Sequence, residues 1–273
     1  LPDIDAPCAI YGVESLAMRR GLTHGPIALA VLPLVLAGLL IAFDRWQMRR
    51  GTRPAARLPV HSGWLVALCY IGTLTHPAFD WLNNYGIRLL EPFSSRWFYG
   101  DALFIIDPWL LAMLVGGLWL SRRREKAQAP HWTGPARAAV LSILVYVGLN
   151  LAISRVTATQ VAGDARYPDL AVASAVPLAF WQREVLWRSD DGSYGSVSCS
   201  WLACAPGREP TGRTNLDDPR MVLWSRDNPA ARAFLFWARM PIAEPRGDTI
   251  VLRDQRFPRP ETERTFSVVL TPR

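Results

Sequence analysis

The chain has 273 residues, half of them hydrophobic, with 12 tryptophans, 22 prolines and a formal net charge of +7. That length allows one or two domains, and a mean hydropathy just above zero is high for a soluble protein. The positive charge does not read as a nucleic-acid footprint. Arginines gather beside apolar runs, at Arg45, Arg49, Arg50, Arg53 and Arg57 and again at Arg122, Arg123 and Arg124. In that position they orient a membrane protein, and no nucleic-acid recognition motif accompanies them.

The average hides an asymmetry. Residues 26–153 hold nearly all the long apolar runs, whereas 155–273 are polar, rich in Pro and Arg, and studded with single aromatics. A polytopic membrane domain over 1–154 and a small soluble domain over 155–273 are expected. No basic n-region leads into an apolar core at the start, so no signal peptide is read there. A further segment, such as another helix, is expected upstream of Leu1.

The chain opens on LPDID. Asp3 and Asp5 alternate faces on a strand, or both reach one cation from a loop, where hard oxygen ligands suit magnesium, manganese, calcium or a mixed zinc site. The plain alternative is a surface turn. RRGLTHG then places His24 just before the first apolar run, after Arg19 and Arg20. Those arginines suit a phosphate group or lipid headgroups, and a lone histidine at that depth is often merely interfacial.

Residues 25–43 form the clearest span, with no charge in 19 residues and a helical length of roughly 28 Å. Pro33 is expected to kink it without disqualifying it. The second span, 62–82, ends in HPAFDWL, a costly place for a histidine and an aspartate. On a helix His76 and Asp80 are four apart and share a face. They can bind one metal ion, or the carboxylate can orient the imidazole; a packing hydrogen bond is the alternative, and Pro77 loosens the helix between them.

A third span is drawn over 102–120, interrupted by Asp107, and a fourth over 136–154. Asp107 followed by Pro108 fits a helix N-cap and first turn. Asp101 follows the aromatic run RWFYG, which fits an interface belt. The arginine-rich loops 44–62 and 121–137 are assigned to the cytoplasm, which sends the polar residues Asp3, Asp5, His24, His76, Asp80, Asp101 and Asp107, and the whole C-terminal part, to the outer side.

Beyond residue 155, AFWQREVLW, YGSVSCSW, RMVLWSRD, TIVLRD and TFSVVL read as strands between turns, the pattern of a small antiparallel β domain. ARAFLFWARM reads as a short helix or a further strand. Cys199 and Cys204 are close enough in sequence for a small-loop disulfide if that domain meets an oxidising compartment. Cys69 lies in a span. His61 and His131 fall in the cytoplasmic loops and look solvated.

In order and spacing, PDID at 2–5, RGLTH at 20–24, HPAFDWLNNYG at 76–86 and WFYGDALFIIDP at 97–108, with FWARMP and DQRF further on, resemble the bacterial inner-membrane metal-dependent hydrolase family, also labelled LexA-binding, inner-membrane-associated hydrolases. The resemblance implies a membrane-bound hydrolase in which metal-activated water attacks an ester or phosphodiester, such as that of a lipid or lipid-linked substrate. It carries Asp3, Asp5, His24, His76 and Asp80 over as metal ligands, and Asp101, Asp107 and Arg20 as catalytic residues. Arg19 departs from the pattern, since family members often have histidine there. Zinc is the expected ion, with manganese or magnesium as alternatives. The expected partners are membrane lipids and an unidentified small-molecule or lipid substrate, in the bacterial inner membrane with the C-terminal domain in the periplasm. A non-enzymatic scaffold or regulator with a structural metal site is the rival reading. A transporter is a weaker one, because four spans without an internal repeat argue against it.

Overall fold

The computed structural model describes residues 2–163, 170–206, 209–258 and 265–272. The chain divides into two compact units, Leu1–Trp81 with Tyr85–Tyr99, and Leu82–Asn84 with Gly100–Arg273.

The first unit begins with tight 3-10 turns over Pro2–Glu14, the short helix α1 (Ser15–Met18) and another 3-10 turn, Leu22–His24. Two long helices follow, α2 (Pro26–Arg49) and α3 (Ser62–Leu82). Pro26 takes the first position of α2, where its missing N–H costs nothing. The helix runs on through Pro33, and α3 likewise runs on through Pro77. Tyr70 on α3 donates its hydroxyl to the Ala30 carbonyl of α2 at 2.7 Å.

The second unit starts with α4 (Pro108–Lys126) and α5 (Gly134–Ala162). As the sequence suggests, Asp107 caps α4, accepting from the Leu110 N–H at 2.9 Å, with Pro108 next. The helices are antiparallel: Ser121 Oγ accepts from the Ala136 N–H, while the Tyr146 hydroxyl donates to Asp107. They approach so closely that a Cβ on Gly117 would sit 2.3 Å from that of Ala139.

Of these four helices, α2 and α5 are long and apolar enough to cross a membrane. Helix α3 falls short because it carries His76 and Asp80, and α4 because its last turns hold Arg122, Arg123, Arg124, Glu125 and Lys126. The expected boundary at 154 lies inside α5, which is eight residues longer than the fourth drawn span beyond Ser154.

The C-terminal region is mainly β. Strands β1 (Leu170–Val176), β2 (Ala179–Arg188), β3 (Ser193–Ser200) and β4 (Ala203–Cys204) form an antiparallel sheet in chain order, with β5 (Gly212–Arg213) also paired to β3. Trp187 pairs with Gly195 across β2 and β3, and a Cβ on Gly195 would stand 2.7 Å from the indole, so the ring fits because that side chain is missing. The end of α5 supplies Val161 to a buried core with Ala173, Val185, Trp187, Val197 and Cys199. Cys199 and Cys204 are disulfide-bonded across β3 and β4.

A second sheet is built from β6 (Pro241–Arg246), β7 (Thr249–Asp254) and β8 (Ser267–Leu270). Between the sheets, the segment RMVLWSRD is not the expected strand but helix α6 (Pro219–Arg226), and ARAFLFWARM supplies helix α7 (Pro229–Trp237). Both begin with a cap followed by proline: Asp218 accepts from Arg220 N–H ahead of Pro219, and Asn228 from Ala231 N–H ahead of Pro229. Those local signals outweigh strand propensity.

Candidate metal centre

Three separate pieces of the first unit build this site. The opening 3-10 turns carry Asp3 and Asp5, the turn Leu22–His24 carries His24, and the last turns of α3 carry His76 and Asp80. The i, i+4 spacing on α3 places the last two on one face.

Four of these residues converge. His76 Nε2 lies 3.1 Å from Asp3 Oδ2 and 3.3 Å from Asp80 Oδ2, and His24 Nε2 lies 3.2 Å from the same Asp80 oxygen. Asp3 Oδ1 stands 3.9 Å from His24 Nε2. One ligand atom from each of Asp3, His24, His76 and Asp80 falls within 4.8 Å of the others. His24 Nε2, His76 Nε2 and Asp80 Oδ2 are buried, yet none makes a well-formed hydrogen bond. Buried polar atoms ordinarily have partners. Three such atoms aimed at one point fit a cation, and two imidazole nitrogens with two carboxylate oxygens match a zinc donor set.

Asp5 takes a different place from the other expected ligands. Its Oδ2 accepts from the Thr23 hydroxyl at 2.8 Å and from the Arg20 backbone N–H at 2.9 Å, so it fastens the segment that bears His24. The Thr23 oxygen is also 2.9 Å from His24 Nδ1. Having given its only proton to a carboxylate, that hydroxyl can only accept from the ring. His24 therefore carries a proton on Nδ1, which leaves Nε2 as the ring nitrogen that faces the cluster and that a metal would take.

Arg20, at a left-handed φ of 52°, sends Nη2 to Asp80 Oδ1 at 2.9 Å and packs its guanidinium 4.5 Å above the Tyr85 ring. It steadies the oxygen of Asp80 that faces away from the cluster. Arg96 is exposed and lies over Phe98.

Asp101 and Asp107 belong to the second unit. Asp101 is paired with Arg239 at 2.8 Å; burial pushes its carboxyl above the ordinary range, against the opposing pull of Arg239. Asp107 caps α4 and accepts from Tyr146 at 2.8 Å.

Two residues escaped the sequence reading. Thr23 stands beside His24 in RGLTH, and its role shows only where it meets Asp5 and the ring. Arg88 fixes the loop before the site: its Nη2 donates to the Ala17 carbonyl at 2.6 Å, its backbone N–H to the Arg20 carbonyl at 2.9 Å, and its Nη1 meets Glu91. A Cβ on Gly25, next to His24, would lie 1.9 Å from the Glu91 carbonyl oxygen. Gly25, directly after RGLTH, is the signal that backbone passes close by, and Gly21 within the motif leaves room for the Arg88 guanidinium.

A helical N-terminal region with two membrane-competent helices, an Asp/His cluster that could hold a metal ion, and a mainly β C-terminal region together define the class. The profile of the YdjM inner membrane protein family matches residues 1–157, more than half of the chain. The chain belongs to that family, an inner-membrane one as the N-terminal motifs led us to expect. No curated protein and no solved structure matches the chain.

Proposed function

We propose that this protein is a multi-pass inner-membrane metal-dependent hydrolase, with all four long helices in the bilayer and the C-terminal region in the periplasm. The observation that carries the reading is the convergence of Asp3, His24, His76 and Asp80, three of whose ligand atoms are buried without hydrogen bonds. Those four would hold the ion, zinc first by donor set and manganese or magnesium as alternatives. Bound there, a divalent ion would polarise a carbonyl or phosphoryl oxygen and make water nucleophilic near neutral pH.

The chain's own residues do the rest. Asp5 and Thr23 hold His24 in the required tautomer, and Arg20 fixes the rotation of Asp80. The Asp3 side chain is 51% exposed, so the cluster is open on that side, where substrate enters and where a carboxylate oxygen can accept the proton released by water. A site at the end of α3 favours an ester or phosphodiester near headgroup depth, from a lipid or lipid-linked molecule, with exposed Arg96 suited to a phosphate. The Cys199–Cys204 disulfide supports an oxidising compartment for the C-terminal region.

The scaffold reading has one observation in its favour: four protein ligands are the complement of a closed structural zinc site. Hydrolysis of bis-p-nitrophenyl phosphate and p-nitrophenyl esters by zinc- or manganese-loaded protein separates the two. Activity that disappears in His24→Ala supports the hydrolase, whereas no turnover with any of these ions returns the site to a structural role. A reporter fused to the C-terminus tests the compartment, and cytoplasmic activity of the reporter would sink the outward orientation.

A further inference from the structure

Among its described residues, the second unit carries a group of large apolar side chains that stays exposed. Leu178 sits at the turn between β1 and β2, Trp201 and Leu202 at the turn between β3 and β4, Ile105 and Ile106 just before α4, and Trp109 in its first turn. All six are between 45% and 67% exposed. They form one surface rather than scattered positions. Trp109 Nε1 donates to the Leu178 carbonyl at 2.8 Å, and Phe180 bridges Trp109 and Trp201 with ring centroids 6.0 and 5.8 Å away.

Two of the turns are built against ordinary turn chemistry. Leu178 has φ 66° and Trp201 φ 53°, a region where glycine or asparagine is the cheap choice. A bulky apolar side chain there costs both strain and exposure to water. Both side chains stay more than half exposed, Trp201 with its ring against Phe180.

Helix length identifies what covers the surface. Ser121 faces the start of α5, and Arg122–Arg124 follow it, which sets a headgroup level at that end of α4. From Ser121 back to Asp107 is 14 residues, roughly 21 Å of helix. A hydrocarbon core is about 30 Å thick, so roughly 9 Å of apolar layer remains above the N-terminus of α4. Leu178, whose carbonyl meets Trp109 in the first turn of α4, and the Ile105–Ile106 segment that leads into Asp107 lie at that end of the helix, and α5 runs on past Tyr146 there with Leu149 also exposed. Tryptophans at this depth match an interfacial belt.

We infer that the β1–β2 and β3–β4 turns, together with Ile105, Ile106 and Trp109, dip into the lipid of the same bilayer that α5 crosses, and so complete the span that α4 alone is too short to make. The inference rests on the proposed crossing of the membrane by α4 and α5. The short helix is then no defect: the β region is seated in the leaflet and held at a fixed height on it.

The test uses the full chain with Cys8→Ser and Cys69→Ser, reconstituted without reductant into phosphatidylcholine vesicles and labelled with a thiol-reactive fluorophore. Leu178→Cys and Ile105→Cys probe the surface. Leu144→Cys on α5 reports the span, and Asp248→Cys in the exposed turn between β6 and β7 reports water. A spin label on the lipid near the glycerol should quench Leu178→Cys and Ile105→Cys and one in the middle of the acyl chain should quench Leu144→Cys, while aqueous iodide should quench only Asp248→Cys. Quenching of Leu144→Cys by lipid but of Leu178→Cys by iodide would overturn the inference and leave the span intact. Loss of lipid quenching at Leu144→Cys as well would overturn the span on which it rests. Protection of Leu178→Cys from both quenchers would mean a protein cover, which also overturns it.

Discussion

Replacing Thr23 with valine changes neither charge nor volume appreciably, yet it should weaken metal binding. The Thr23 hydroxyl is the link between Asp5 and His24, at 2.8 and 2.9 Å. Valine leaves the Nδ1–H of a fully buried ring without its acceptor, a cost of about 1–3 kcal/mol. The ring can recover part of this by moving its proton to Nε2, which is the atom the metal needs. Partners that orient a ligating histidine are typically worth 10–100-fold in affinity, or roughly 1.4–2.7 kcal/mol. A zinc dissociation constant measured against a competing chelator should therefore rise by about one to two orders of magnitude in Thr23→Val and recover in Thr23→Ser. Equal affinity for zinc in Thr23→Val and the native chain would refute the tautomer argument.

Three further predictions follow from other parts of the molecule. Gly25→Ala forces a Cβ to within 1.9 Å of the Glu91 carbonyl, so it should shift the His24 turn and reduce metal uptake even though no ligand is touched; unchanged uptake would contradict the close approach. Asp254 is fully buried and accepts from Arg256 twice through its side chain, from the Arg256 N–H, and from the Arg239 and Met240 N–H groups. Asp254→Asn leaves the Arg256 guanidinium without its counter-charge and should cost about 3–5 kcal/mol in unfolding of the C-terminal region. Burial alone would raise the Asp254 pKa, but Arg256 and these hydrogen bonds hold it below the ordinary 3.8. Its stabilisation is therefore complete above pH 3.8 and lost as pH falls through the lower folded value, so Asp254→Asn should flatten the acid limb of a stability profile. Reduction of the Cys199–Cys204 disulfide, which spans a separation of five residues, should cost only roughly 2 kcal/mol by loop entropy; loss of all structure on reduction would show a larger role.

Much of this was legible because the informative residues obey local rules. The i, i+4 pair His76 and Asp80 could be placed on one helical face from spacing alone, and Asp107-Pro108 announces a helix start. The antiparallel β character of the end of the chain showed in alternating runs. What stayed hidden depends on chain segments meeting. Nothing in LPDID says that Asp3 turns toward the histidines while Asp5 turns back to Thr23, since an i, i+2 pair in irregular turns has no fixed period. RMVLWSRD reads as a strand because it is β-prone, whereas the residues that decide for helix α6, Asp218 and Pro219, both stand just before that run. The third span was drawn from 102 because the apolar run begins there; the helix itself begins only at Pro108, as the Asp107 cap dictates. Buried arginines such as Arg88 and Arg256 are invisible in composition, because only the fold supplies the carbonyls and carboxylates that make their burial affordable.

Whether the Asp3, His24, His76 and Asp80 cluster holds an ion decides between a metal centre and a packing pair. Metal content by mass spectrometry should be measured on the full chain, purified in detergent without chelator, with the native protein and His76→Ala side by side. Near-stoichiometric zinc or manganese in the native chain, lost in a variant that keeps its fold by circular dichroism, is the predicted result. Metal at background level in the native chain after repletion with divalent ions, or the same content in both proteins, would contradict it and leave His76 and Asp80 as a packing pair.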